Sequence, residues 1–315
     1  MPSGDRSCRV GVDENGLGAR LGPLIVTAVL ARVLPIGERA LSGRLRGKIS
    51  KDLGDSKRLV SHQNFTLGEA WARVLTGDRA ESPRALFEQL SAEPAASLRK
   101  TCPGHIEGQC WDSARERFEA PPELVTRLGG HLAKLRERGI EVEHVQVQSV
   151  CTQRLNQARR DGKNRFVSDL HAMEELLLGL RQRSGDDFVA TCGKVGGMSE
   201  YDRFFGPLAG RLHTTLLVSR RQSSYYFPGI GEIHFVQDAD ARHLLVMLAS
   251  LVGKYVRELL MGRISRFYDG PDPDAEPVSG YHDERTDDWV SATEKRRRSL
   301  RILDDCFERA RDTLS

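Results

Sequence analysis

The chain has 315 residues, 39% of them hydrophobic, which is enough for one large domain or for a domain with a smaller appendage. Its formal net charge of only +3 does not by itself indicate a nucleic-acid-binding protein, and no apolar run is long enough to cross a bilayer. Its six scattered cysteines, and an N-terminus without a hydrophobic signal segment, are typical of a protein of the reducing cytosol. We therefore expect a cytoplasmic location and no membrane partner.

The predicted elements, taken in chain order, are those of an α/β protein. Short runs rich in apolar and β-branched residues predict five strands, at 9–12, 22–33, 141–150, 187–192 and 231–240. Helical spacing of apolar residues predicts a helix over 164–183 and a second, largely buried one over 241–262. Two early strands followed by strands that alternate with helices predict a mixed sheet with helices packed on it.

Two segments fit this pattern less well. The polar segment 76–135 is expected to form short surface helices inserted between core elements, and it contains Cys102, His105 and Cys110. Three potential zinc ligands without a second pair are weak evidence for a metal there. The tail beyond residue 271 begins as a loop and ends in an amphipathic stretch, 298–314. We therefore divide the chain into a main domain, 1–265, and a C-terminal loop and helical cap, 266–315.

The stretch "VGVDENGLGARLGPL", residues 10–24, allows two interpretations. A dinucleotide-binding loop needs its glycines between a strand and a helix, but here a β-branched run opened by proline follows them, so that interpretation fails. Asp13 and Glu14 lie where a strand ends, and Asp238 and Asp240 are two apart at the end of another predicted strand, where both are expected to face one side. Such carboxylates are the ligands that Mg²⁺ or Mn²⁺ needs to assist phosphodiester cleavage. Alternatively, each acid merely ends a strand or caps a helix.

Six stretches, in a fixed order, carry a resemblance to a known family. They are "GVDENGLGARLGPLIVTAVL" (11–30), "LGDSKRL" (53–59), "QRLN" (153–156), "KVGGMSEY" (194–201), "DADARHLLVMLASLVGKYVRELLM" (238–261) and "SGYHDERTDDWV" (279–290). They resemble motifs of the type 2 ribonucleases H, which comprise bacterial ribonuclease HII and the catalytic subunit of archaeal and eukaryotic ribonuclease H2. The resemblance covers most of the chain apart from the segment 76–135.

This resemblance implies a ribonuclease H-like fold and cleavage of RNA in RNA–DNA hybrids, including single ribonucleotides embedded in DNA. It also implies four carboxylates that bind two divalent metals, Mg²⁺ or Mn²⁺. Asp13 and Glu14 match the first two acids of the family, and Asp240 matches the last.

The same resemblance implies contacts with nucleic acid. Tyr281 matches the tyrosine that stacks on the sugar at an RNA–DNA junction. Gly16 and Gly18 match the loop whose backbone reads the ribose 2′-hydroxyl, and Lys57 and Lys254 match basic positions near phosphate. Lys254 lies inside an otherwise apolar helix, where a lysine normally needs an anionic partner.

The third acid of the family is missing. Gly193 stands where the family has aspartate, and Lys194 follows it. Losing one carboxylate is expected to weaken the second metal and to slow hydrolysis by orders of magnitude. Three hypotheses follow. The protein is an active nuclease with a rebuilt site, in which Asp238 is the best substitute for the lost acid and Asp55 and Glu200 are poorer ones. Alternatively, it binds hybrid or structured nucleic acid without cutting, and Lys194 takes part of the vacated metal position. In the third hypothesis, the fold is a protein-interaction module.

Overall fold

The computed structural model describes residues 6–43, 45, 47–62, 64–269 and 277–311. The strands in this part of the chain are β1 (Ser7–Asn15), β2 (Leu24–Val33), β3 (Ile140–Val150), β4 (Phe188–Gly193), β5 (Thr214–Val218), β6 (Gln222–Phe227) and β7 (Gly231–Val236). They form one mixed sheet in the order β3-β2-β1-β4-β7-β6-β5, in which β4 is parallel to β1 and to β7 and the other neighbours are antiparallel. The predicted mixed α/β sheet is therefore confirmed.

Helices cover both faces of this sheet. They are α1 (Glu38–Leu41), α2 (Ser56–Leu59), α3 (Thr66–Leu75), α4 (Pro83–Leu90), α5 (Ala95–Arg99), α6 (Gly108–Trp111), α7 (Pro122–Glu137), α8 (Thr152–Arg160), α9 (Arg165–Ser184), α10 (Leu244–Asp269), α11 (Glu284–Ser299) and α12 (Asp304–Phe307). Short 3₁₀ helices lie at Lys48–Lys51, Gly104–Ile106, Asp202–Phe204 and Ala239–Ala241. In the described ranges, no helix combines the length and the apolar character that a membrane crossing requires.

The central strand β1 presents its side chains alternately to two helical layers. Val10 and Val12 belong to the apolar cluster that contains Leu170 and Met173 of α9. Gly11, on the other face, lies directly against α10. By the same alternation, the side chain of Asp13 faces the α10 layer, and the side chain of Glu14 leaves the strand on the α9 side. Both residues belong to the candidate site.

Gly11 is where α10 approaches the sheet most closely. A Cβ added there would lie 2.4 Å from the carbonyl carbon of Leu245 and 2.5 Å from the amide nitrogen of Val246, and backbone cannot move aside cheaply. We expect Gly11→Ala to lower the free energy of unfolding, measured with urea, by about 1–3 kcal/mol. Gly130→Ala is the matched control, since nothing lies within 4 Å of a Cβ there and Ala is favoured inside α7. Equal losses in both variants would contradict this packing.

The inserted segment contributes more to the core than the sequence suggests. Its helices α4–α7 confirm the predicted short helices, but Leu86, Phe87 and Leu128 are completely or almost completely buried and pack in the same cluster as Trp71. The expectation that these helices lie only on the surface is therefore wrong. Their apolar faces cover one side of the sheet together with α3 and α10.

The C-terminal part differs from the prediction in its details. The described part of the stretch 298–314, up to residue 311, does not form one amphipathic helix. The helix α11 ends at Ser299, α12 is a single turn, and Glu308 then pairs with Leu21 in a β-bridge. The predicted loop at 271–276 lies outside the described residues. The division into two domains stays a prediction, and its boundary at residue 265 falls within α10. A small apolar cluster joins this part to the main body through Leu21, Met261, Ile264, Tyr268, Val278, Val290 and Phe307.

Candidate active site

Asp13 and Glu14 lie next to Gly193 at the end of two parallel strands. Val12 of β1 pairs with Cys192 of β4, so the next step of the register brings Asp13 level with Gly193. A Cβ added to Gly193 would lie 2.9 Å from Oδ1 of Asp13 and 3.5 Å from Oε2 of Glu14. Although the two acids start on opposite faces of β1, their carboxylates therefore converge on the space over Gly193.

Asp240 brings a third carboxylate to the same region. It lies in the 3₁₀ helix after β7, and its Oδ2 is 3.7 Å from Nζ of Lys57. Burial, and then the charges of Glu14 and Asp240, raise the pKa of Asp13, while a hydrogen bond from Ser250 lowers it. Burial and neighbouring carboxylates likewise raise the pKa of Glu14 to about 8. The acids are thus close enough for their negative charges to repel one another, and a bound cation would offset this repulsion.

Asp238 is placed differently from the prediction. Because β7 ends at Val236, Asp238 lies in a turn with a left-handed φ of 56°, and it does not share a strand face with Asp240. Its side chain is exposed and lines the same cleft as the other acids. The strand prediction for 237–240 is therefore wrong, and the role of Asp238 as a substitute ligand stays a prediction.

The predicted site residues all line one cleft, which consists of two adjoining cavities of about 390 and 350 Å³. Both cavities are lined by Asp13, Glu14, Lys57 and Asp240. The first also contains Gly193 and Asp238, and the second also contains Gly16, Gly18, Lys254 and Tyr281. The fold thus brings together residues that are far apart in the sequence.

The glycine loop at one end of the cleft is held by a residue that the sequence analysis missed. Gly16 has φ +87°, and a Cβ there would lie 2.5 Å from Nε of Arg257, so glycine is required. Gly18 has open space around it, and no steric reason demands glycine. Arg309 donates from Nη1 to the Gly16 carbonyl (2.6 Å) and from Nε to the Gly22 carbonyl (2.9 Å). The C-terminal segment therefore fixes the backbone of this loop.

Tyr281 lies beside this loop, supported by a second buried arginine. The guanidinium of Arg257 lies 4.4 Å from the centre of the Tyr281 ring and donates to the Ser279 carbonyl at 2.9 Å. Tyr281 keeps 41% of its surface exposed, so one face of the ring is free to meet a ligand. Lys254 is half-buried, its Nζ lies 3.5 Å from the Val60 carbonyl, and burial lowers its pKa.

His62 closes the same end of the cleft and gives the protein a pH-dependent contact. Its Nδ1 lies 2.5 Å from Oε2 of Glu258 and its Nε2 lies 2.6 Å from the Pro277 carbonyl, with Arg257 and Asp283 also nearby. The hydrogen bond with Glu258 is the main cause of a raised His62 pKa. A raised pKa in the folded state adds stability below the unfolded pKa of about 6.5, and this stability is lost as the pH rises through the folded pKa.

We therefore expect His62→Gln to destabilise the protein by about 1–3 kcal/mol at pH 5.5 and by less at pH 9. Urea unfolding of both proteins at the two pH values measures this difference. A difference that grows with pH would contradict the assignment of a charged His62–Glu258 pair.

The donor chemistry of the cleft fits a divalent metal. Asp13, Glu14 and Asp240 offer hard carboxylate oxygens, the ligands that Mg²⁺ and Mn²⁺ prefer. Burial, and after it neighbouring carboxylates, raise the pKa of Asp13 and Glu14, so a cation here would favour their charged forms. Among the described residues, no three or more His, Cys, Asp or Glu side chains are arranged to hold an ion. Binding a cation at this cleft therefore requires these side chains to rotate towards one another.

Lys194 does not have the role that one hypothesis gave it. Its ammonium donates to the carbonyls of Ser219 (3.1 Å) and Arg220 (2.7 Å), in the turn between β5 and β6. Burial alone lowers its pKa, with no carboxylate contributing. Lys194 thus anchors the hairpin turn at the rim of the cleft and does not replace a metal over Gly193.

The weak zinc signal at Cys102, His105 and Cys110 is resolved by the placement of the three side chains. Both cysteines line a small apolar cavity of about 60 Å³ together with Cys151 and Cys306. His105 is exposed and lies 3.2 Å from the Arg301 carbonyl instead. The three residues therefore do not form a zinc site in the described chain.

Comparisons with known proteins find similarity only at the level of structure. No family model matches the sequence, and no curated protein matches it. Several solved structures are similar. Ribonuclease HII of Archaeoglobus fulgidus, in its complex with PCNA, has 16% identity and a TM-score of 0.43, and the match covers 98% of this chain and 96% of that one. Bst ribonuclease HIII with Mn²⁺ has 14% identity and a TM-score of 0.46, covering 96% of this chain and 66% of that one, and ribonuclease H2 of Pyrococcus horikoshii has 14% identity and a TM-score of 0.39, covering 95% and 92%. These structures are all type 2 ribonucleases H, the family whose motifs this sequence resembles.

Proposed function

We propose that this protein is a type 2 ribonuclease H that hydrolyses the RNA strand of RNA–DNA hybrids, or DNA at embedded ribonucleotides, with Mg²⁺ or Mn²⁺. The observation that carries the proposal is the convergence of Asp13 and Glu14 over Gly193, with Asp240 at the same cleft. A cleft with acids at its centre and a glycine loop, lysines and Tyr281 at its end suits a nucleic-acid strand.

Asp13, Glu14 and Asp240 would hold the divalent ion, which when bound supplies the Lewis acid that activates water and stabilises the leaving oxygen. Lys57 and Lys254 border the same cleft and provide positive charge for the phosphates of a bound strand.

The sugar is read at the other end of the cleft. Gly18 can bring its backbone close to the strand, because it is exposed with open space where a side chain would lie, and the nearby Gly16 carbonyl is held by Arg309. The exposed ring of Tyr281, fixed from behind by Arg257, offers a flat surface to the sugar next to the ribonucleotide. These groups select for a ribose at the junction, whereas the acids act on the phosphate.

The test is cleavage of end-labelled duplexes in Mg²⁺ and in Mn²⁺. One duplex carries a single ribonucleotide, a second carries an RNA–DNA hybrid stretch, and a third is all DNA. We expect cuts in the first two at the ribonucleotides and none in the third. Intact ribonucleotide-containing duplexes with both ions, or equal cutting of the all-DNA duplex, would refute the proposal.

The missing side chain at Gly193 favours a second candidate, a reader of hybrids that binds without cutting. Gel-shift titration at increasing salt separates the two. Tight, salt-sensitive binding of the hybrid, without any cleavage in either metal, would support the reader and exclude the nuclease.

A further inference from the structure

Asp169, on the second turn of α9, is a buried acid without a partner. Its exposed surface is 0%, and neither carboxylate oxygen accepts a hydrogen bond in the described structure. It lies in the apolar layer formed by Leu170, Met173 and Leu177. An unsatisfied carboxylate in such a layer costs several kcal/mol, so its presence needs an explanation.

The start of α9 borders the cleft. Arg165 donates to the Leu17 carbonyl at 3.5 Å, and a Cβ added to Gly196 would lie 2.6 Å from the Phe166 ring. Leu17 and Gly196 both line the cleft, and Asp169 lies one turn further along the helix.

Strand alternation puts Glu14 on the side of β1 that α9 covers, together with Val12, and Cys192 lies on the same side of β4. After burial, the charge of Asp169 is the largest cause of the raised Glu14 pKa, and Asp13 is the charge that raises the pKa of Asp169 itself. Asp169 is thus a buried, unpartnered carboxylate in the α9 layer, on the side of β1 where the Glu14 side chain starts.

We propose that Asp169 supplies the third carboxylate of the divalent-cation site, in place of the acid that β4 lacks at Gly193. This inference rests on the proposed function of the cleft. It requires Asp169 and Glu14 to turn towards the cation when it binds, since the described side chains are not yet arranged around an ion. Asp238 is the weaker substitute. Its carboxylate is exposed and therefore solvated by water, whereas the buried carboxylate of Asp169 has no such solvation and needs a cation to stabilise its charge.

The experiment measures Mn²⁺ binding to the full chain by electron paramagnetic resonance titration, without nucleic acid. We expect Asp169→Asn, which keeps the shape and removes the charge, to weaken Mn²⁺ binding by about 10–100-fold. Glu174→Gln is the matched control: it is also a buried acid of α9 with one unpartnered oxygen, but it accepts from the amides of Gly206 and Leu208. We expect this control to bind Mn²⁺ like the wild type.

A rescue variant separates a ligand from a structural residue. Gly193→Asp puts an acid back on β4, where the backbone does not have the left-handed φ that favours glycine. A Cβ there would lie 2.9 Å from Oδ1 of Asp13, so the end of the Asp13 side chain has to turn aside. In the Asp169→Asn background, this change should restore Mn²⁺ affinity to within about tenfold of the wild type. Gly193→Asp alone is the reference. If Asp169 is a ligand, Gly193→Asp should raise Mn²⁺ affinity more in the Asp169→Asn background than in the wild type, whereas equal gains would mean that Asp169 only supports packing.

The outcomes distinguish the inference from the proposed function. Wild-type affinity in Asp169→Asn, together with loss of binding in Asp13→Asn, would overturn the inference and leave the nuclease proposal standing. A wild-type protein that neither binds Mn²⁺ nor cleaves would overturn both. Thermal unfolding without metal checks that each variant is folded. If Asp169→Asn does not fold, Asp169→Ser is used in its place.

Discussion

Replacing Asp13 with Asn is expected to lower the rate of ribonucleotide cleavage by about 10³-fold or more. The side chain is buried and approaches the space over Gly193, where it would bind the cation directly. Losing a metal ligand removes several kcal/mol of transition-state stabilisation, and each 1.4 kcal/mol is a factor of about ten in rate. Single-turnover cleavage of the duplex with one embedded ribonucleotide measures the loss.

Binding provides the second readout for Asp13→Asn. Because the variant removes negative charge from the cleft, its affinity for the same duplex should stay equal or rise, so that the defect lies in the chemical step. Glu137→Gln, an exposed acid at the end of α7, should cleave at the wild-type rate. Undiminished cleavage by Asp13→Asn would place the reaction elsewhere in the molecule.

Glu116→Gln is expected to destabilise the protein by about 3–5 kcal/mol. Glu116, in the inserted segment, makes a bidentate pair with Arg263 of α10, at 2.6 and 2.9 Å, and both side chains are almost completely buried. Removing the carboxylate leaves the charge of Arg263 buried and uncompensated. Arg266 also contacts Glu116, but its side chain reaches solvent, so the loss of the carboxylate costs it less electrostatic stabilisation.

Urea unfolding measures this loss of stability, and two further variants serve as references. Glu88→Gln breaks an exposed pair with Arg84 on α4 and should cost less than about 1 kcal/mol. The double variant Glu116→Leu with Arg263→Met removes both charges and should recover much of the loss. If Glu116→Gln were no worse than Glu88→Gln, the inserted segment would be an appendage rather than part of the core.

The central fold was predictable because its segments carry strong local patterns. The strands β1–β4 and the helices α9 and α10 are buried on at least one face, so their apolar residues recur with a regular period. The strand β5 escaped prediction because all five of its residues are exposed at the sheet edge, where no core imposes alternation. The strand ending at Val236 was predicted four residues too long because "QDAD" continues without a turn signal such as Gly or Pro.

That the predicted acids lie in one cleft could be foreseen from the sequence, whereas the residues that support the cleft could be foreseen less well. Motif order pointed to Asp13, Glu14 and Asp240, which now line one cleft. Arg309 was missed, because no local pattern shows that a C-terminal arginine reaches a loop almost 300 residues earlier. Asp169 did leave a signal: it occupies the apolar stripe of its predicted helix, where a carboxylate is out of place.

The contact between Arg309 and the glycine loop also has a consequence for how the protein is made. The glycine loop is translated almost 300 residues before Arg309, which clamps it. During synthesis, Asp13 and Glu14 can already be held on the sheet while the glycine loop still lacks its anchor. A growing chain therefore anchors this loop only after the sheet and both helical layers have been translated.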